Sequence, residues 1–151
     1  MALWDKFKQS AQNMQAQLVA KKNDLKSGSF RDASMAMCAL VAAADGSVDQ
    51  AETAKVAELI ANNEVLRNFD KDDLQRRFYG YANQLQSDYQ LGKVQIMQEI
   101  AKAKKKQDEA RAVIQIGIVI GGADGNFDPQ ERAAVRDACF ALGIAPTEFD
   151  L

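Results

Sequence analysis

Apolar residues recur at spacings of three and four along most of the chain, and nowhere do they alternate with a period of two. Trp4, Phe7, Ala11, Met14, Leu18 and Leu25 mark one face of a long amphipathic helix over residues 1–28, interrupted by Lys21 and ended by Ser27-Gly28-Ser29. Arg31 to Ala44 is apolar almost all round, which predicts a helix at the core. Asp49 begins a third helix. Asp70 with Asp73 caps a fourth, whose apolar face carries Leu74, Phe78, Tyr81, Leu85 and Tyr89. Gly92 reads as the break into a fifth, in which Val94, Met97 and Ile100 or Ala101 keep the period up to Lys102, Lys104, Lys105 and Lys106, a basic cluster suited to a helix C-terminus. A sixth helix spans Glu109 to Gly122. The seventh opens at Pro129 and stops at Gly143, with Pro146 beyond. The expectation is an all-α, single-domain bundle of about seven helices over residues 1–151.

Two of the helix junctions are alike. Ala44-Asp45-Gly46-Ser47-Val48-Asp49-Gln50-Ala51-Glu52 matches Ala123-Asp124-Gly125-Asn126-Phe127-Asp128-Pro129-Gln130-Glu131, and the match continues with Ala54 against Ala133 and Val56 against Val135. The shared pattern Ala-Asp-Gly-x-apolar-Asp-x-x-Glu follows a core helix and begins another in both places. An internal duplication accounts for it, with repeat units at about 31–61 and 110–143 in a pseudo-two-fold helix–loop–helix arrangement.

Capping chemistry explains much of the pattern. Asp49 and Asp128 are N-caps, Glu52 and Glu131 occupy the third helical position of a capping box, and Gly46 and Gly125 supply a left-handed turn. Asp45 and Asp124 are harder to explain, because a carboxylate near a helix C-terminus faces the negative pole of the helix dipole. A hard cation such as calcium would relieve that repulsion and draw on Asp45, Asp49, Glu52, Asp124, Asp128 and Glu131 as oxygen ligands. Asp45 to Glu52 also has the form of the second half of an EF-hand loop, but the first half fails. Its ligand positions would fall on Val41 and Ala43 in one copy and Ile120 and Gly122 in the other, none of which has a coordinating side chain. Pairing the two loops would share their carboxylates around one site.

Composition narrows the chemistry further. Hydrophobic residues at 47% and charged residues at 26% describe an ordinary globular chain. Histidine is absent, which removes the commonest general base and the commonest transition-metal ligand. A net charge of -2 gives no bulk attraction for nucleic acid, and the lysine cluster has no interleaved aromatics. The longest apolar runs, Met35 to Ala44 and Ile116 to Ala123, fall short of the roughly 20 residues of a membrane span. The N-terminus mixes charge with apolar residues, unlike a secretory leader, so a cytoplasmic protein is expected. Cys38 and Cys139 sit in apolar contexts and are expected to be buried. Lys6, Lys8, Lys21, Lys22 and Lys26 with Lys102 to Lys106 offer a basic face opposite the acidic loops, suited to peripheral contact with the anionic inner face of the cytoplasmic membrane.

The paired Ala-Asp-Gly-x-apolar-Asp-x-x-Glu segments resemble those of the TerB family of tellurite-resistance proteins, and the likeness extends over essentially the whole chain. A related helical domain occurs beside DnaJ-type co-chaperone modules. The resemblance implies an all-α bundle serving resistance to tellurite and other stresses, in company with a TerC-type membrane protein and TerD-type calcium-binding proteins. It discloses no reaction. The leading expectation is therefore a non-enzymatic interaction module whose acidic site takes a hard cation or a basic partner surface. Two alternatives compete with it. One is thiol-based handling of tellurium oxyanions through Cys38 and Cys139. The other is an enzyme using paired carboxylates, for which no nucleophile is legible.

Overall fold

The computed structural model describes residues 2–123, 125 and 127–151, with side chains from residue 9 onward. Asp124 and the side chains of Trp4, Lys6, Phe7 and Lys8, on which some of the expectations rest, lie outside the described residues. Among the described residues the chain forms seven α-helices and no strand: α1 (Ala2–Ala20), α2 (Gly28–Ala42), α3 (Gln50–Asn62), α4 (Lys71–Ser87), α5 (Tyr89–Ala101), α6 (Gln107–Gly121) and α7 (Pro129–Leu142). Short 3-10 turns follow α1, α3, α5 and α7.

Most helix starts come from a polar side chain that accepts an otherwise orphaned N–H. The Phe30 N–H donates to Ser27 Oγ (3.1 Å), that of Glu52 to Asp49 (3.2 Å), that of Asp73 to Asp70 (3.0 Å) and that of Leu91 to Asp88 (3.1 Å). Two junctions differ from the sequence expectation. α1 stops at Ala20, and Ser27-Gly28-Ser29 starts α2 instead of ending α1. Leu25 reaches the core from the intervening turn without continuing the helix. Gly92 is not the break between α4 and α5. That break is Asp88, whose N–H closes α4 on the Gln84 carbonyl (3.3 Å) while its carboxylate opens α5, leaving Tyr89 as the first residue of α5. Gly92 lies one turn further on, where a Cβ would stand 2.6 Å from the Gln84 carbonyl oxygen. Its lack of a side chain is what lets α5 fold back against the end of α4.

The core is built around α2 and α6, which make the most extensive helix pairing in the molecule. Phe30, Met35, Met37 and Leu40 of α2 and Val113, Ile114 and Ile116 of α6 are fully buried, and Gly117 admits the Met37 side chain at van der Waals contact. α4 and α5 cover α2, and α1 covers α6. α2 touches α7 and α6 touches α3, the two pairings that a two-fold axis between the repeat units would interchange. The N-termini of α2 and α6 are also tied together. Ser27 Oγ donates to Oε1 of the buried Glu109 (2.9 Å). No helix among the described residues is long and apolar enough to cross a membrane.

Candidate acidic cleft

Each repeat unit delivers its acidic loop in the same way. α2 ends at Ala42, the Gly46 N–H donates to the Ala43 carbonyl (3.0 Å), and Gly46 turns the chain at φ +90°. In the second unit α6 ends at Gly121, the Gly125 N–H donates to the Gly122 carbonyl (2.9 Å), and Gly125 has φ +78°. Both positive φ values lie where a Cβ is strained. After each turn comes an aspartate that caps the next helix. Asp49 accepts from the N–H groups of Ala51 (2.7 Å) and Glu52 (3.2 Å), while Thr53 Oγ1 donates to the Asp49 carbonyl (2.7 Å). Asp128 accepts from the Glu131 N–H (2.8 Å), and Glu131 Oε1 accepts from the Asp128 N–H (3.1 Å).

The reciprocal capping box expected in both copies closes only in the second. In the first copy the Glu52 N–H reaches Asp49, but the Glu52 side chain faces the cleft between the loops. Asp45 does not oppose the α2 dipole as expected. Asp45 stands beyond the end of α2 in an exposed turn, and its Oδ1 accepts from the Ser47 N–H (3.1 Å) and Ser47 Oγ (3.0 Å). The helix dipole fades within the last turn, and these two donors supply a local partner for the charge.

Asp45, Asp49, Glu52, Asp128 and Glu131 line one open cleft of about 330 Å³, together with Ser47, Gln130 and Lys55. Its apolar floor is a smaller recess formed by Val41, Val56, Leu59 and Ile120. The two loops, distant in sequence, are thus brought to one concavity by the pairing of α2 with α6. Among the described residues no three carboxylates or thiols cluster as a ready-made metal cage. Lys55, which the sequence reading passed over, stands one turn after Glu52 on α3, a spacing that places both on the same side of the helix.

A second charged cluster was also missed, because its members come from α2, α4 and the turn after α5. Asp32 of α2 and Asp73 of α4 face Arg31, Arg76, Arg77 and Lys102. Arg77 lies 3.1 Å from Asp32 and 3.0 Å from Asp73, and Arg76 lies 2.8 Å from Asp73. Hydrogen bonds from Arg77 and Arg76 hold the Asp73 carboxyl below its ordinary value, and Asp73 raises Arg77 in return. Burial raises the Tyr81 phenol, beside this cluster, to about 12. The sequence had offered Asp73 as a partner of Asp70 in capping. Asp70 alone caps, and the Asp73 side chain serves this network.

Cys38 and Cys139 are both buried, as their contexts led one to expect. Burial pushes the Cys38 thiol up to about 12 and the Cys139 thiol up to about 11. Both are protonated at neutral pH, which deprives a thiolate route of its nucleophile.

Residues 31–151 match the family described as Tellurite resistance protein TerB. A protein of an Alcaligenes species named Tellurium resistance protein TerB is 25% identical over 118 residues, which covers 78% of this chain and 97% of the relative. No solved structure matches.

Proposed function

The chain belongs to the TerB family of tellurite-resistance proteins, and from that premise we propose that it serves tellurite resistance as a non-enzymatic module whose acidic cleft binds a hard cation such as calcium. The observation that carries this reading is the convergence of both acidic loops on one cleft. Asp45 and Glu52 contribute oxygens from one loop and Asp128 and Glu131 from the other, with Asp49 and Asp124 completing the acidic set. The cleft is wide, so a calcium ion there keeps part of its water shell, as hard cations with few protein ligands do. A module of this kind works in the cytoplasm beside the membrane, delivering its site to a TerC-type membrane protein and to TerD-type calcium-binding proteins.

Lys55 favours a second reading. A cleft that already accommodates an ammonium group among carboxylates has the chemistry to receive lysine or arginine side chains from a protein partner. Calcium separates the two. In the first reading, titrating calcium shifts the backbone amides of Gly46 and Gly125 and raises the melting temperature by mass action, about 2.7 kcal/mol at a hundredfold excess over Kd. The double variant Asp45→Asn, Asp124→Asn then loses both responses and the resistance phenotype. A folded double variant that keeps its calcium response and full resistance would refute a function for the acidic cleft. A calcium-blind native protein whose double variant still loses resistance selects the basic partner.

A further inference from the structure

We propose that α1 is a strap that pivots at Lys21 and leaves α6 to lie in the surface of an anionic lipid bilayer. In the docked position the two helices run antiparallel. Lys21 stands 3.9 Å from Asp108 in the first turn of α6, and about two turns further on Gln115 donates to Gln17 (2.9 Å). Among the described residues α6 is the one helix against which α1 packs extensively. The hold is slight for a helix of 19 residues. Of its described side chains Leu18 alone is fully buried, with Met14 and Val19 half-buried, and the ties to Gln115 and Asp108 are exposed pairs that water can replace. Asn63, at the end of α3, adds one hydrogen bond to Gln15 (3.2 Å). The chain beyond the pivot is held more firmly. Leu25 is buried, and Asn68 Nδ2 donates to the carbonyls of Lys22 (2.7 Å) and Leu25 (3.0 Å). The stretch shared with the TerB family begins at residue 31, so α1 lies outside it.

Charge identifies what the strap meets. Residues 1–26 hold five lysines against two aspartates, a net charge of +3, so in a chain of net charge -2 the remainder carries -5. The segment most attracted to an anionic surface is therefore the one least tied to the bundle. Trp4, Phe7, Ala11, Met14 and Leu18 follow one helical face along the sequence, and the same spacing puts Lys6 and Lys8 to either side of it. Helices of this build lie in the plane of a bilayer surface with the apolar face inward. That face cannot serve α6 and lipid at once, because Leu18 is buried in the bundle, so binding requires the strap to swing out. The pivot is suitably placed. Lys21, Lys22 and Lys26 surround it, and the run from Lys102 to Lys106 leads into the same end of α6. The acidic cleft lies at the opposite end of α6 and stays away from the anionic surface, so the strap works whatever the cleft binds.

Trp4 is the one tryptophan of the chain and belongs to α1, so its fluorescence reports on the strap. The test mixes the full chain with vesicles of phosphatidylserine and phosphatidylcholine, or of phosphatidylcholine alone. On the anionic vesicles the emission should shift to the blue and be quenched by phosphatidylcholine brominated on its acyl chains, while neutral vesicles leave it unchanged. A second measurement follows the swing itself. Spin labels at Gln12→Cys on α1 and Glu58→Cys on α3, both exposed positions, should move apart by roughly 10 Å or more on the anionic vesicles. The native cysteines are buried and stay unlabelled. A chain that ignores the anionic vesicles, or responds equally to neutral ones, overturns the proposal. Binding with unchanged Trp4 emission overturns it by leaving the contact to the lysines alone. A blue shift at constant label separation overturns it too, since the strap would then never leave α6.

Discussion

The aspartates of the two loops hold different kinds of position, and substitutions should separate them. Asp128 closes a reciprocal capping box with Glu131, whereas Asp49 caps from one side only. Replacing either with alanine should cost about 1 kcal/mol, read as a lower melting temperature, with Asp128→Ala the more costly because it breaks both halves of the box. Asp45→Asn should be neutral in the absence of a ligand, since an asparagine oxygen can still accept from Ser47. The thiols supply a test of another kind. Both should resist a thiol reagent at pH 7 until the protein unfolds. Because their folded pKa values are raised, the protonated state they impose on the fold is fully tolerated below the unfolded value of 9.0. The associated stability declines as the pH climbs toward 11 and 12. Fast labelling of Cys38 in the native protein would contradict its burial. At this scale the sequence was most legible where a residue acts on its own neighbours, as Asp49, Asp128, Gly46 and Gly125 do. Lys55 and Asp32 were missed because their roles depend on residues from other helices.

At the scale of the helices, period and caps were enough to place α2, α3, α6 and α7 to within a few residues. The errors fell where one residue type has two uses. A serine and glycine run can end a helix or begin one, and Ser27 begins α2 because its hydroxyl finds both the Phe30 N–H and the carboxylate of Glu109. Gly92 suggested a break, yet its value lies in close packing that only the fold creates. Gly92→Ala should therefore destabilise the protein by about 1–3 kcal/mol, against the small gain alanine gives in an ordinary helix interior. Equal or higher stability would show that α5 can move away from α4. The network of α2, α4 and the turn after α5 has a clear pH signature. The Asp73 pKa is depressed below 3.8, so its contribution is present at neutral pH and lost as the pH falls through the folded value. Asp73→Asn should lower the melting temperature at pH 7 and leave it nearly unchanged well below pH 3.8. A uniform offset at all pH values would assign the loss to packing.

At the scale of the whole molecule, lysines and acids mix at the N-terminal end of α6, where Lys106 lies 3.9 Å from Glu109. Its C-terminal end leads into the second acidic loop, while Lys106 immediately precedes its N-terminus and Lys21 reaches to 3.9 Å from Asp108 in the first turn. The basic face expected from the sequence motivates one measurement. If the lysine end meets anionic lipid, co-sedimentation with vesicles containing phosphatidylserine should fall as salt rises, and neutral vesicles should recover none. Equal recovery with both lipids would mean that the lysines are only solvated.

The convergence of the two loops also has a topological consequence. The cleft joins segments on either side of the whole α4–α5 hairpin, so its two walls meet only when α2 has found α6. Anything bound across it acts as a reversible cross-link closing a long loop of chain. Its occupancy therefore registers at the scale of global unfolding, in the slowest-exchanging amides of α2 and α6, and not as a local stiffening of two surface turns.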